Sequence, residues 1–109
     1  MSDWRNKPEI DSAAVQALVS AVGESVFRDM SVQFVADLRR LVDTYWAAMD
    51  RGERPDAHAT AHALKGAAAN IGLIRLAAVA AALEQDDNAA RDALNAELEV
   101  ALTRLTEAV

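Results

Sequence analysis

ESVFRDMSVQFVADLRRLVDTYWAAMD, residues Glu24 to Asp50, decides the fold. Within it Phe27, Met30, Phe34, Leu38, Leu41, Tyr45 and Met49 recur every three or four residues, which sets them in one stripe along an α-helix. A half-buried strand would need strict alternation, and the stretch has none. Val35, Val42 and Trp46 widen the stripe to one side. This long helix therefore either packs on more than one neighbour or keeps an apolar strip for a partner. Arg51, Gly52 and Glu53 break it.

The flanking segments carry the same period. Ahead of the stripe, Asp11 is placed to cap a short helix bearing Val15, Leu18, Val19 and Val22, which Gly23 ends. Behind it, Pro55 suits the first turn of a third helix and Asp56 complements the positive end of that helix's dipole. The third helix runs to about Asn70 or Ile71, with Ala57, Thr60, Ala61, Leu64, Ala67, Ala68 and Ile71 facing inward. Gly72 breaks the chain. A fourth helix then carries Leu73, Leu76, Val79 or Ala80, and Leu83, the polar run from Gln85 to Asn88 turns it, and a fifth carries Leu94, Leu98, Ala101, Leu102 and Leu105. The expected fold is all-α, an antiparallel four-helix bundle with a short additional N-terminal helix. Residues 1–10 read as an N-terminal arm, loose up to Glu9, with Trp4 and Ile10 as anchors. Residues 11–109 read as a single helical domain.

Composition agrees. A chain of 109 residues supports one core, and 52% hydrophobic residues with only 5% aromatics, four glycines and two prolines favour helices. The absence of cysteine excludes disulfides, thiolate chemistry and cysteine-ligated metals. The start has no apolar core of signal-peptide length, and no window of membrane-spanning length is free of charge. A cytoplasmic protein is expected, with no membrane partner. A net charge of −6 argues against binding a phosphate backbone, so nucleic acid is not an expected partner.

The chemistry gathers on the outward face of the third helix, at His58, Ala59, His62, Lys65, Gly66 and Ala69. His62 points away from Leu64 and lies one turn before Lys65 and Gly66. A neutral imidazole is a nucleophile through one ring nitrogen when an acceptor holds the other. Counting across the hairpin about Gly72 supplies a candidate acceptor. His62 lies ten residues before the break and Glu84 twelve after it, arms of ~15 and ~18 Å at ~1.5 Å per residue. Ala77, Ala80 and Ala81 on the fourth helix permit close approach. Read alone, Glu84 is equally an exposed helix-end carboxylate beside Asp86 and Asp87. Lys65 is placed to neutralise charge on a phosphoryl group at His62, and Gly66 removes a side chain where another domain would approach. Arg75 is either a solvated charge near the turn or a rim contact. His58 and His62 have a zinc-compatible spacing, but the His-Glu-x-x-His pattern and a third ligand are missing, so no metal site is expected. The chain has neither a Gly-rich phosphate loop nor a kinase-type Asp-Phe-Gly. A partner must bring the engine of any phosphoryl transfer.

The segment from His58 to Glu84, HATAHALKGAAANIGLIRLAAVAAALE, resembles the histidine phosphotransfer (HPt) domains of two-component phosphorelays, specifically over these residues and more weakly, by helix count and order, over residues 11–107. The resemblance implies that His62 is the phosphoacceptor of a His-x-Leu-Lys-Gly motif, that Lys65 and Gly66 hold the family's lysine and glycine positions, and that Gly72 and Leu73 match the break after that helix. The family position facing the histidine from the following helix is often glutamine and sometimes glutamate; this chain has Glu84 there, which resembles the phosphoaccepting domain of chemotaxis-type kinases. The resemblance implies a phosphocarrier, not an autonomous enzyme, that accepts a phosphoryl group on His62 from a receiver-domain aspartate or a histidine kinase, passes it to a response-regulator receiver as a free-standing shuttle, and binds no cofactor itself. The partners implied are receiver domains of response regulators and hybrid histidine kinases, with Mg²⁺ on the receiver that docks over His62, Ala59, Ala69 and His58. A histidine exposed for partners suggests a monomer, with a dimer through the second helix left open. The competing reading is a helical adaptor that binds partners through apolar surface and transfers no phosphoryl group.

Overall fold

The computed structural model describes residues 3–109, and among them every regular element is helical. Met1 and Ser2 of the expected arm lie outside the described residues. A single turn of 3-10 helix, Trp4–Asn6, precedes α1 (Ser12–Val22), α2 (Glu24–Asp50), α3 (Arg54–Asn70), α4 (Ile74–Leu83) and α5 (Asn88–Thr106). The helices start and stop for local reasons. The side chains of Asp11 and Asp87 accept hydrogen bonds from the N–H groups of Ala14 and Ala90, capping α1 and α5 at 3.0 and 3.1 Å. Pro55 sits in the first turn of α3. At Gly72, φ is +78°, and a Cβ there would lie 3.3 Å from Val15 Cγ2 and 3.4 Å from the Asp11 carbonyl oxygen. Glycine is needed at this turn for its conformation and for room, because its carbonyl accepts the Asp11 N–H at 2.7 Å.

At ~1.5 Å per residue, α2 is ~40 Å long, close to the 43 Å long axis of the molecule. It neighbours α1, α3 and α5, while α4 lies between α3 and α5, which closes a ring of four helices. Phe27, Leu38, Val42 and Tyr45 of α2 fill the core with Leu64 of α3, Leu76, Val79 and Leu83 of α4, and Leu94 and Leu105 of α5. Between α3 and α4 the buried residues include Ala57, Ala61, Ala68 and Ala80, whose small volume lets the two backbones approach closely.

The widening of the α2 stripe serves a second neighbour. Trp46 Nε1 donates to Asn95 Oδ1 at 3.0 Å, and the Arg39 guanidinium holds the Glu99 carboxylate through two bonds, at 2.6 and 3.2 Å, so α5 is tied to α2 along this side. Towards the other end, Val35 lines an open groove with Arg28, Ser31, Val32, Thr106 and Val109. The arm is fastened to the body. Trp4 is only 6% exposed, and Ile10 packs against the core. Arg75, read from sequence as a solvated charge or a rim contact, instead holds the arm. Its Nε donates to the Lys7 carbonyl at 2.9 Å, and Glu9 lies between Arg75 and Arg104. The strap thus crosses from α4 to α5.

Candidate functional site

Leu64 faces the core fully buried, which turns His62 outward on α3 with a side chain 73% exposed. Around it Ala59, Ala63, Gly66 and Ala69 are exposed and small, so the surface beside the imidazole is nearly flat. A Cβ added at Gly66 would meet nothing within 4 Å. The fold itself gives no steric reason for glycine there.

Glu84 is brought to this face by the hairpin. It follows the last residue of α4 in a helical backbone conformation, its side chain 20% exposed. Its two oxygens are divided: Oε1 lies 2.9 Å from His62 Nδ1, and Oε2 accepts from Lys65 Nζ at 3.1 Å. Partial burial pushes the Glu84 carboxyl up, but hydrogen bonds from Lys65 and His62 outweigh this and hold it below its ordinary value. The group is therefore ionised at neutral pH. An ionised carboxylate only accepts hydrogen bonds, so Nδ1 carries the proton and donates it to Glu84. In the neutral ring Nε2 is left with its lone pair, and it has no partner among the described residues.

The sequence places His62, Lys65 and Gly66 on one face, and counting across the hairpin brings Glu84 level with them. The structure brings all four together. Two features were not anticipated. One is the Lys65–Glu84 bond, which makes one carboxylate the partner of both the imidazole and the ammonium. The other is the engagement of His58, whose Nε2 donates to Asp86 Oδ1 at 2.9 Å while Arg54 donates to the same oxygen at 2.8 Å. That hydrogen bond from His58, followed by the nearby charges, holds the Asp86 carboxyl below its ordinary value. The signal available in sequence was the spacing of Arg54, His58 and His62 at four-residue steps on one helix face, with an aspartate two residues beyond Glu84. The two histidines thus face different carboxylates, and no group of three or more metal-ligating side chains is gathered among the described residues.

The site thus consists of a histidine held at Nδ1, exposed at Nε2 and flanked by a lysine and a bare glycine on one helix of a four-helix bundle. The family model described as Hpt domain matches residues 25–108, from the start of α2 to the end of the fold. The chain belongs to the Hpt domain family. Comparison with curated proteins and with solved structures returned no match. Hpt domains are phosphocarriers rather than catalytic enzymes, and they interact with receiver domains. The match to this Hpt domain leaves the arm and α1 outside it, so the strap over α4 and α5 is an addition to the matched region.

Proposed function

We propose that this Hpt domain accepts a phosphoryl group on His62 Nε2 from the aspartyl phosphate of a receiver domain and hands it to the aspartate of a second receiver. The observation that carries the reading is the Glu84 bond to Nδ1, which leaves Nε2 as the nucleophilic nitrogen on an exposed, nearly side-chain-free surface. The Nε2 lone pair forms the P–N bond as the P–O bond to the receiver's carboxylate breaks, and that carboxylate leaves with the electron pair. No proton has to leave. The ring becomes a cation with its proton still on Nδ1, and the Glu84 carboxylate balances the new charge. Lys65, one turn along, turns from Glu84 to the phosphoryl oxygens, where an ammonium–phosphate contact is charge-assisted. The return step runs the same sequence backwards onto a different aspartate.

In this proposal Mg²⁺ belongs to the receiver, where it neutralises the phosphoryl oxygens during transfer. Gly66, Ala59, Ala69 and the outer edge of His58 form the landing surface, and the carrier acts as a monomer in the cytoplasm. Among the described residues no helix is long and apolar enough to cross a membrane.

The test is phosphoryl transfer from labelled receivers of the same organism to the full chain, with His62→Gln alongside. His62 is exposed, so His62→Gln is expected to keep the fold and lose all label, while wild type gains an acid-labile, alkali-stable phosphate. A folded wild type that no receiver and no histidine kinase labels overturns the proposal. Partner binding that survives His62→Gln without any phosphate would favour an adaptor.

A further inference from the structure

The turn between α4 and α5 contains a residue that the backbone alone would not choose. Asp86 has φ +57°, the left-handed region in which helix-ending turns commonly use glycine. The Asp86 N–H donates to the Leu83 carbonyl at 3.1 Å and the Asp87 N–H to the Ala82 carbonyl at 3.2 Å. These are the paired bonds of a Schellman turn. Glycine would make both without a Cβ in that conformation. What aspartate adds is a carboxylate, and its Oδ1 meets Arg54 and His58 on the first turns of α3.

The placement ties two pairs of contacts together. Asp86 follows Glu84 by two residues in one turn, and His58 precedes His62 by one helical turn on one face. The carboxylate of Asp86 is thus bound to α3 just below the point where the carboxylate of Glu84 is bound to it. Glu84 stands at the end of α4, where its own N–H is still held by the Ala80 carbonyl at 3.2 Å but the helix goes no further. Its side chain is met from α3 by His62 and Lys65, and the turn that carries it is bound to α3 through Asp86. A non-glycine residue held in the left-handed region beside a site motivates the hypothesis that its side chain serves that site.

We propose that Asp86 is a positioning residue for phosphoryl acceptance: by fastening the α4–α5 turn to Arg54 and His58, it holds the Glu84 carboxylate against His62 Nδ1 and so keeps Nε2 as the accepting nitrogen. The consequence for transfer rests on the phosphocarrier reading. The clamp itself acts on the His62 ring tautomer, which is measurable with no partner present.

The experiment records ring ¹⁵N shifts of His62 in the full chain for wild type, for Asp86→Gly, and for the double variant Arg54→Gln/His58→Gln, which leaves His62 as the one histidine. Wild type is expected to show the proton on Nδ1. Asp86→Gly suits the turn, so its melting temperature should equal or exceed that of wild type, while the tautomer shifts towards a mixture with Nε2–H. Transfer from a phosphorylated receiver should fall by roughly tenfold, short of the ~100-fold that a 1 Å misplacement of a reacting group costs. The double variant should reproduce the tautomer shift. Folded variants that keep the wild-type tautomer overturn the proposal, and so does a wild-type ring protonated mainly on Nε2. Should Asp86→Gly not fold, the double variant decides alone. If no receiver labels wild type, the phosphocarrier reading fails, and the tautomer comparison still judges the clamp.

Discussion

Replacing Gly66 by alanine tests the landing surface with two readouts of opposite sign. The added Cβ meets nothing within 4 Å, and the position lies inside α3 with no unusual φ. Intrinsic helix propensity is therefore unopposed, and alanine should stabilise the free protein by ~0.8–1 kcal/mol. For a domain of this size that raises the melting temperature by about 3–7 °C. Docking responds the other way. Gly66 is one turn from His62, and in the proposed transfer a receiver must bring its phosphorus to ~3–3.5 Å from Nε2. A methyl group on the landing surface is expected to cost about tenfold in transfer efficiency, or ~1.4 kcal/mol, and Gly66→Leu should cost more. Thermal unfolding followed by circular dichroism gives the first quantity and transfer kinetics from a phosphorylated receiver give the second. A well-folded Gly66→Leu that transfers at the wild-type rate refutes the close-approach argument, and a destabilised Gly66→Ala refutes the open space around it.

Lys65→Ala removes a half-exposed ion pair with Glu84, so unfolding free energy should drop by only ~0.2–1 kcal/mol while transfer slows or the phosphohistidine becomes shorter-lived; an unchanged rate and lifetime would leave Lys65 without a role. Because the folded Glu84 carboxyl is held below its ordinary value by Lys65 and His62 against the opposing pull of burial, its contribution to stability is complete above the ordinary glutamate range and is lost as pH falls through the lowered folded value. Denaturant melts of wild type and Glu84→Gln should therefore differ from neutral pH into mild acid and converge only below that range; convergence near neutrality would contradict the assignment. Trp4→Ala removes a side chain 6% exposed and should cost ~3–5 kcal/mol. Trp4→Phe should cost far less, because the buried indole N–H has no hydrogen-bond partner to lose; equal losses for the two would show that the strap is held by something other than ring burial.

Helix boundaries were legible in the sequence because local chemistry sets them. Asp11 caps α1, Gly23, Gly52 and Gly72 separate the helices, and the polar run after Glu84 turns the chain, each within a residue or two of the expected place. The His62–Glu84 contact was legible for a related reason. A hairpin of two straight rods obeys simple arithmetic, and alanines between the rods leave little room for error. Partners fixed by long side chains were not legible. Lys65 choosing Glu84, Arg75 choosing the Lys7 carbonyl, and Arg54 with His58 choosing Asp86 each depend on rotamers and on how neighbouring helices are rotated. The four-residue step from Arg54 to His58 was visible, but not that a left-handed aspartate across the turn would answer it. The widened α2 stripe was legible as a surplus of apolar surface. Only packing showed that Trp46 and Arg39 turn it towards α5 while Val35 faces an open groove.

The bare helix around His62 has a consequence for chemical intervention. A side chain 73% exposed on the outside of a rod offers a small molecule no walls, and ligand sites of useful affinity are concave, burying most of what they hold. A compound aimed at the imidazole of this chain would have little besides one ring to grip, and free phosphate esters in the cell meet the same difficulty. In the proposed transfer, the hollow that closes over the histidine has to arrive with the receiver that docks there. An inhibitor of this exchange belongs on that other molecule, and selectivity among competing exchanges is to be sought in the rim of its hollow.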